Sequence, residues 1–302
     1  MKNIDMKKIC TLVLFALCFF SCDEIIKIVI PNDPDPEPVV QVPVSLRSFV
    51  QDGEFVKGDC VGVYMSTYMD GKHVDLKAKG NHVDNNKFQY DGAGNWRSEN
   101  IIYFKDDETP TDFYAYYPYI TVNDATRHNI SVPTDQSVED NFKSADFMWG
   151  FTKGCIPSPE AVDITLHHIM SKAVIILKPG NGFTEEELIS KEPTVRILNV
   201  LCNSTFNLGT GAREPDTSTK SVIPYRSSVL EYRAILLPQY IENNEIIEVR
   251  VGEAVYRLRK TMHLLGGNEY TFTVTIQRTE AGVNVGVSSW DVVDQDFGGI
   301  VK

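Results

Sequence analysis

Long apolar runs are missing from this 302-residue chain. A membrane-spanning helix needs about 20 apolar residues. The longest largely apolar run, Ile9–Phe20, has twelve residues. Basic charge is also short: 29 Lys and Arg stand against 41 Asp and Glu, a formal net charge of −12. Binding to phosphate backbones needs clustered Lys and Arg, so a nucleic-acid partner is excluded on charge grounds. Cysteine is sparse, with six in all. Cys10, Cys18 and Cys22 sit at the N-terminus, which leaves Cys60, Cys155 and Cys202 with no CxxC spacing. One disulfide or three free thiols both fit. There is no GxSxG, no Walker loop, no GxGxxG and no EF-hand pattern. No catalytic group, metal or cofactor is expected. With 42% hydrophobic and 23% charged residues, what remains is a globular body long enough for about two domains.

The first residues read as an address. Lys7 and Lys8 precede the Ile9–Phe20 run, which is too short to span and right for a signal-peptide core. The run closes on Phe-Phe-Ser-Cys, which resembles a bacterial lipobox ending at Cys22, with Phe19 in place of the usual Leu. Asp23 and Glu24 resemble the acidic export tags that follow such a cysteine in Bacteroidetes. The expectation is a signal peptide over 1–21, lipidation of Cys22 and anchoring in the outer membrane. Acyl chains contribute about 0.8 kcal/mol per buried methylene.

Residues 22–39 form an acidic, Pro-rich linker containing Pro31-Asn-Asp-Pro-Asp-Pro-Glu-Pro38. Such a segment stays extended and solvated, and lifts the body off the membrane. Val40, Val42, Val44 and Leu46 then alternate with polar residues, giving a strand with one apolar face. Pro43 removes a backbone donor and confines this strand to a sheet edge. Arg47 follows directly.

From Ser48 onward, period-2 patterns and turn clusters predict an all-β chain. Strands are expected at 61–65, 87–90, 101–104, 113–117, 195–201, 233–237, 246–251, 254–258 and 270–276. A further alternation runs through Val283, Val285 and Val287. Residues 164–177 read as one long strand or two with a bend. The one helical patch is Thr184-Glu-Glu-Glu-Leu, with Thr184 and Glu187 at capping-box spacing. Strand spacings of about 8–12 residues indicate β-sandwiches. The Pro-rich stretch Ile156–Glu160 suggests a boundary between an N-terminal domain, 40–156, and a C-terminal domain, 157–302.

Four stretches carry a family resemblance. Phe113-Tyr-Ala-Tyr-Tyr-Pro-Tyr119, Ser144-Ala-Asp-Phe-Met-Trp-Gly150 and Leu166-His-His-Ile-Met-Ser-Lys172 come in that order. Leu237-Pro-Gln, Gly267-Asn-Glu-Tyr and a Val-rich stretch closing at Ser289-Trp-Asp291 complete the set. Together they resemble the fimbrillin family of Bacteroidales, the Mfa-like and major-fimbrillin group of type V pilus subunits. The resemblance implies two transthyretin-like Greek-key β-sandwich domains and export as an outer-membrane lipoprotein to the cell surface. It also implies removal of the N-terminal strand by an Arg- or Lys-specific protease. A strand from the next fimbrial subunit would then fill the groove and build an adhesive fimbria. Mapped onto this chain, Val40, Val42, Val44 and Leu46 form the displaced strand, and Arg47 is the processing candidate. Lys57 is an alternative, though it enters a core strand. The donor-strand candidate is the tail with Val292, Val293, Phe297 and Ile300. Its spacing is irregular, and a locally packed terminus fits it equally.

Other constellations are weaker. His167 and His168 are adjacent, so on a strand they face opposite ways and cannot grip one metal. Asp106–Glu108 and Glu185–Glu187 read as solvated charge runs. Trp96, Trp149 and Tyr116 could build a sugar-binding face, or could be core. That leaves two alternatives to the polymerising subunit. One is a non-polymerising lipid-anchored adhesin that binds a host or microbial glycan or protein. The other is a fimbrial anchor.

Overall fold

The computed structural model describes residues 41–50, 54–121, 124–278 and 285–296. The signal segment, Cys22, the linker and Val40 lie outside the described residues, as do Phe297 and Ile300. Strands dominate, in four sheets. The largest holds β1 (Leu46–Val50), β2 (Cys60–Thr67), β3 (Val83–Tyr90), β4 (Trp96–Ser98), β5 (Thr111–Tyr117), β7 (Met148–Cys155) and β8 (Val162–His168). Its order is β1-β8-β7-β5-β2-β3-β4. A small sheet joins β6 (His128–Ser131), β11 (Asn203–Phe206) and β12 (Arg213–Pro215) in the order β12-β11-β6.

A five-stranded sheet has the order β14-β15-β9-β18-β19. Its strands are β9 (Ser171–Pro179), β14 (Tyr225–Arg226), β15 (Glu231–Leu236), β18 (Asn268–Arg278) and β19 (Val285–Asp296). A four-stranded sheet, β13-β10-β16-β17, is built from β10 (Thr194–Leu201), β13 (Thr219–Val222), β16 (Gln239–Val251) and β17 (Ala254–Leu264). The all-β expectation holds.

Three details bear on the sequence reading. The apolar stretch 164–177 is two strands: β8 completes the seven-stranded sheet, and β9 crosses into the five-stranded one. The stretch Ile156–Glu160 connects β7 to β8, so strands on both sides of it share one sheet. Residues 101–104 form no strand but a single bridge, Tyr103 to Pro43.

Helices are short. The capping box at α2 (Glu185–Ser190) is present, with Thr184 accepting from the Glu187 N–H and Glu187 accepting from the Thr184 N–H. A second short helix, α1 (Glu139–Ser144), carries Glu139 and Asp140 in its first turn and a Lys143–Glu139 ion pair at 2.8 Å. No apolar stripe announces it in the sequence, because none of its residues is buried.

The middle of the seven-stranded sheet, β2 and β5, is buried on both faces, which explains the near-continuous apolar run of β2. Val61, Val63 and Met65 point to one side and pack with Phe88, Phe113, Ile164 and Leu166. Tyr64, with Tyr114, Tyr116 and Trp149, points to the other. That second face joins a larger apolar cluster through Ile130 and Phe206 of the small sheet. The same cluster fills the space between the five- and four-stranded sheets with Ile175, Val249, Phe272 and Val274.

Gly150 is required by the crossing of β7 and β8. A Cβ there would stand 2.0 Å from the Thr165 carbonyl oxygen and 2.9 Å from its carbon. Backbone atoms cannot swing aside as a side-chain tip can. Gly150→Ala is expected to cost about 3 kcal/mol, read as a lowered urea midpoint with an unchanged slope.

His128 is buried on β6, stacked on Phe147 at 5.0 Å and tilted against Tyr116 at 4.4 Å. Burial lowers its pKa to about 4. The folded chain therefore holds a neutral ring while the unfolded chain takes up a proton first. This contribution is complete above about pH 6.5 and is lost progressively as pH falls towards about 4. Its size is about 3 kcal/mol. Urea melts at stepped pH should show that slope in the wild type and a flatter one in His128→Phe.

Candidate functional site

Residues 41–47 have the alternation their sequence predicts, but the strand itself, β1, runs from Leu46 to Val50 and not over 40–46. Gln41, Pro43, Ser45 and Arg47 are exposed, Val42 is half-buried, and Val44 and Leu46 are buried at 9% and 5% exposure. Their side chains enter the cluster on the β2–β5 face with Phe104, Val162 and Ile164. The backbone changes neighbour along the way. The Val44 N–H donates to Ile102 O, and the Phe104 N–H donates to Val42 O, both at 2.9 Å. From Ser45 on, the partner is β8: the Val162 N–H donates to Ser45 O at 2.9 Å. The parallel register then runs from Leu46↔Val162 to Val50↔Leu166. As Pro43 implies, β1 is an edge strand.

Arg47 does not follow the strand; it sits inside it, opposite Asp163. The ladder with β8 runs four residues beyond Leu46, the last residue of the apolar alternation. Arg47 Nε donates to Asp163 Oδ1 at 2.5 Å and Nη2 to Oδ2 at 2.7 Å. Both side chains are more than half exposed. The Arg47 guanidinium holds the Asp163 carboxyl below its usual range, chiefly through that hydrogen bond. Thr152 on β7 donates its hydroxyl to the Asp163 main-chain carbonyl at 2.5 Å and fixes β8 from the other side. Ser48 turns inward at 8% exposure, and its hydroxyl is buried without a hydrogen-bond partner.

The other predicted residues fall elsewhere. Val292 and Val293 lie in β19, opposite Phe272 and Thr271 of β18, at the edge of the five-stranded sheet. The tail through Asp296 is thus paired with its own chain, on a different sheet from Arg47. Lys57 is exposed beside the turn at Gly58.

Trp96, Trp149 and Tyr116 are buried at 8%, 3% and 0% exposure, so they form core and not a sugar platform. Trp149 Nε1 donates to Leu208 O, and the Tyr116 hydroxyl donates to Asn85 Oδ1. His168 is buried and pairs with Asp146 at 2.9 Å, while His167 is half-buried on the other face. Cys60, Cys155 and Cys202 are free thiols. Nothing local in the sequence marks Asp163, and the apolar stretch 101–104 does not announce its partner. Their role depends on register with residues about 60 and 116 positions away.

Fold and site together define an all-β protein of stacked sheets, with an N-terminal strand that closes a sheet edge. The chain belongs to the fimbrillin-like family, whose model matches residues 47–290. It is 23% identical over 258 residues to the Bacteroides uniformis protein named "Putative fimbrium subunit Fim1C", covering 82% of each chain. Two crystal structures share the fold. One is a "putative cell adhesion protein" of Bacteroides uniformis, at 24% identity and TM-score 0.66, covering 85% of this chain and 99% of that one. The other, of the same description, is from Bacteroides ovatus, at 17% identity and TM-score 0.65, with 87% and 99% covered.

Proteases bind their substrates as extended, unpaired chain. The ladder and the Asp163 pair therefore shield the Arg47–Ser48 bond until β1 opens. Asp163→Asn should speed limited cleavage after Arg47 by an arginine-specific protease about two- to five-fold at neutral pH. Timed digestion with intact-mass detection checks this.

Proposed function

We propose that this chain is a structural subunit of a cell-surface fimbria. In this reading it is exported as an outer-membrane lipoprotein through Cys22 and cut at Arg47. It then joins its neighbours when a strand from another subunit replaces residues 40–47. The two-sandwich, transthyretin-like organisation belongs to the same reading. One sandwich would be built on the seven-stranded sheet, and the other on the facing five- and four-stranded sheets.

The carrying observation is the extended segment from Val42 to Leu46, which leads into β1. Its two buried side chains contribute roughly 3–6 kcal/mol. Its departure would leave Ile102 O, Phe104 N–H and Val162 N–H unpaired beside an apolar groove. An open edge of that kind pairs with another strand or aggregates. Family membership gives the reading its context. The donor proposed is the tail with Val292, Val293, Phe297 and Ile300. For Val292 and Val293 to take part, β19 must leave β18. A glycan or protein on a host or microbial cell is the adhesion partner in this reading.

One observation favours an uncut anchor or a stand-alone adhesin: Arg47 is held within the ladder. N-terminal sequencing of the protein from outer membranes and from shed fibres separates these readings. The expected result is a Ser48 start in fibres and an acylated Cys22 start in membranes. Fibres composed of Cys22-initiated protein would overturn the cleavage step.

A further inference from the structure

If residues up to Arg47 leave, as proposed above, Ser48, Phe49 and Val50 stay attached to the body. They remain in register with Ile164, Thr165 and Leu166. The vacated place is therefore short, closed at one end by this stub and flanked by 102–104 and by the start of β8. Its inner side takes apolar side chains where Val42, Val44 and Leu46 stood. Its outer side carries the Asp163 carboxylate, stripped of the two hydrogen bonds from Arg47.

An alternating apolar pattern does not fix register by itself. A slip of one residue turns the apolar face to solvent and is excluded, but a slip of two keeps every face correct. Something outside the apolar pattern has to distinguish the even registers. Asp163 is the one charged side chain of β8 in the β1 register, and in the structure it selects one position by a two-point contact.

We infer that this place accepts a partner strand of defined chemistry. The strand runs parallel to β8, has apolar side chains at its first, third and fifth positions, and carries a cation at its sixth, opposite Asp163. This rests on the strand-replacement reading above. The occupant is a segment of another subunit, and residues 42–47 are its template; Val292, Val293, Phe297 and Ile300 of this chain do not have that spacing, so the donor for this place belongs to a subunit of different sequence. The pair is exposed, so it sets register and discrimination more than affinity.

The test uses the mature chain cleaved after Arg47 and freed of its N-terminal fragment. The probes are fluorescent peptides of sequence Gln41–Arg47. One carries Arg, one norleucine and one Glu at the last position, and a fourth has the reversed sequence. The Arg peptide is expected to bind. Norleucine should weaken binding about two- to five-fold, and Glu about tenfold. The Arg preference should vanish in Asp163→Asn and invert in Asp163→Lys.

Equal binding of the Arg and Glu peptides overturns the inference and leaves strand replacement standing. It would mean that the new α-ammonium of Ser48 serves as the counter-charge. Equal binding of the reversed peptide overturns the stated direction. Failure of every peptide to bind a cleaved chain that is still folded by circular dichroism overturns strand replacement itself, and this inference with it.

Discussion

The outer edge of β8 has to be paired. Alternate backbone groups between Val162 and Leu166 face away from the sheet, and the side chains of Val162, Ile164 and Leu166 are buried in the core. An uncovered edge backed by apolar side chains invites foreign strands. The chain answers with its own residues 42–50. The Pro43 end hydrogen-bonds to 102–104, and the Leu46 end to β8. Both halves drop their side chains into the same cluster. The seven-stranded sheet is complete only with this segment, and β7 reaches β8 by register at only Met148 and Trp149.

The rest of the first half follows from burying the middle of that sheet on two faces. β2 and β5 have no solvent side to alternate towards, so they read as apolar and aromatic runs. Where a ring or a second backbone comes close to a strand, glycine leaves the space. Gly62 lies under the Tyr116 ring, whose hydroxyl is then carried to Asn85 and to the Ile120 carbonyl. Gly150 lies under the Thr165 carbonyl. The aromatic strand around Tyr114 and Tyr116 and the Met-Trp-Gly stretch of β7 are thus one packing solution. They are neighbours in the sheet, with Tyr116 opposite Trp149 and Ala115 opposite Gly150.

Much of this was legible in the sequence, because hydrophobic period and turn residues are local. The alternation of Val42, Val44 and Leu46, the edge placement from Pro43 and the Thr184 cap all follow from short-range rules. What failed was non-local. β1 is defined by its pairing with β8 from Leu46 to Val50, which the neighbours of Arg47 in sequence do not reveal. The break at Ile169–Met170 depends on two sheets competing for one apolar stretch. Helix α1 and the short strands β12–β14 carry few buried residues, and so left little pattern. Asp163 looked like an ordinary outward residue of an alternating strand. Its value depends on a register that spans 116 positions.

The change of neighbour at Ser45 has a mechanical consequence. A pull on the chain before Val42 first meets the two hydrogen bonds to 102–104, which can break in turn. It then reaches the five register pairs with β8. A force along the strand axis loads those pairs together, in shear. Rupture of the first contacts leaves the second set intact, so the segment resists sudden extraction and can snap back after a small excursion. Under load its lifetime is a matter of rates, not of equilibrium stability alone. A surface protein held at its N-terminal side would keep its edge closed through brief tugs and yield only to sustained force or to a cut.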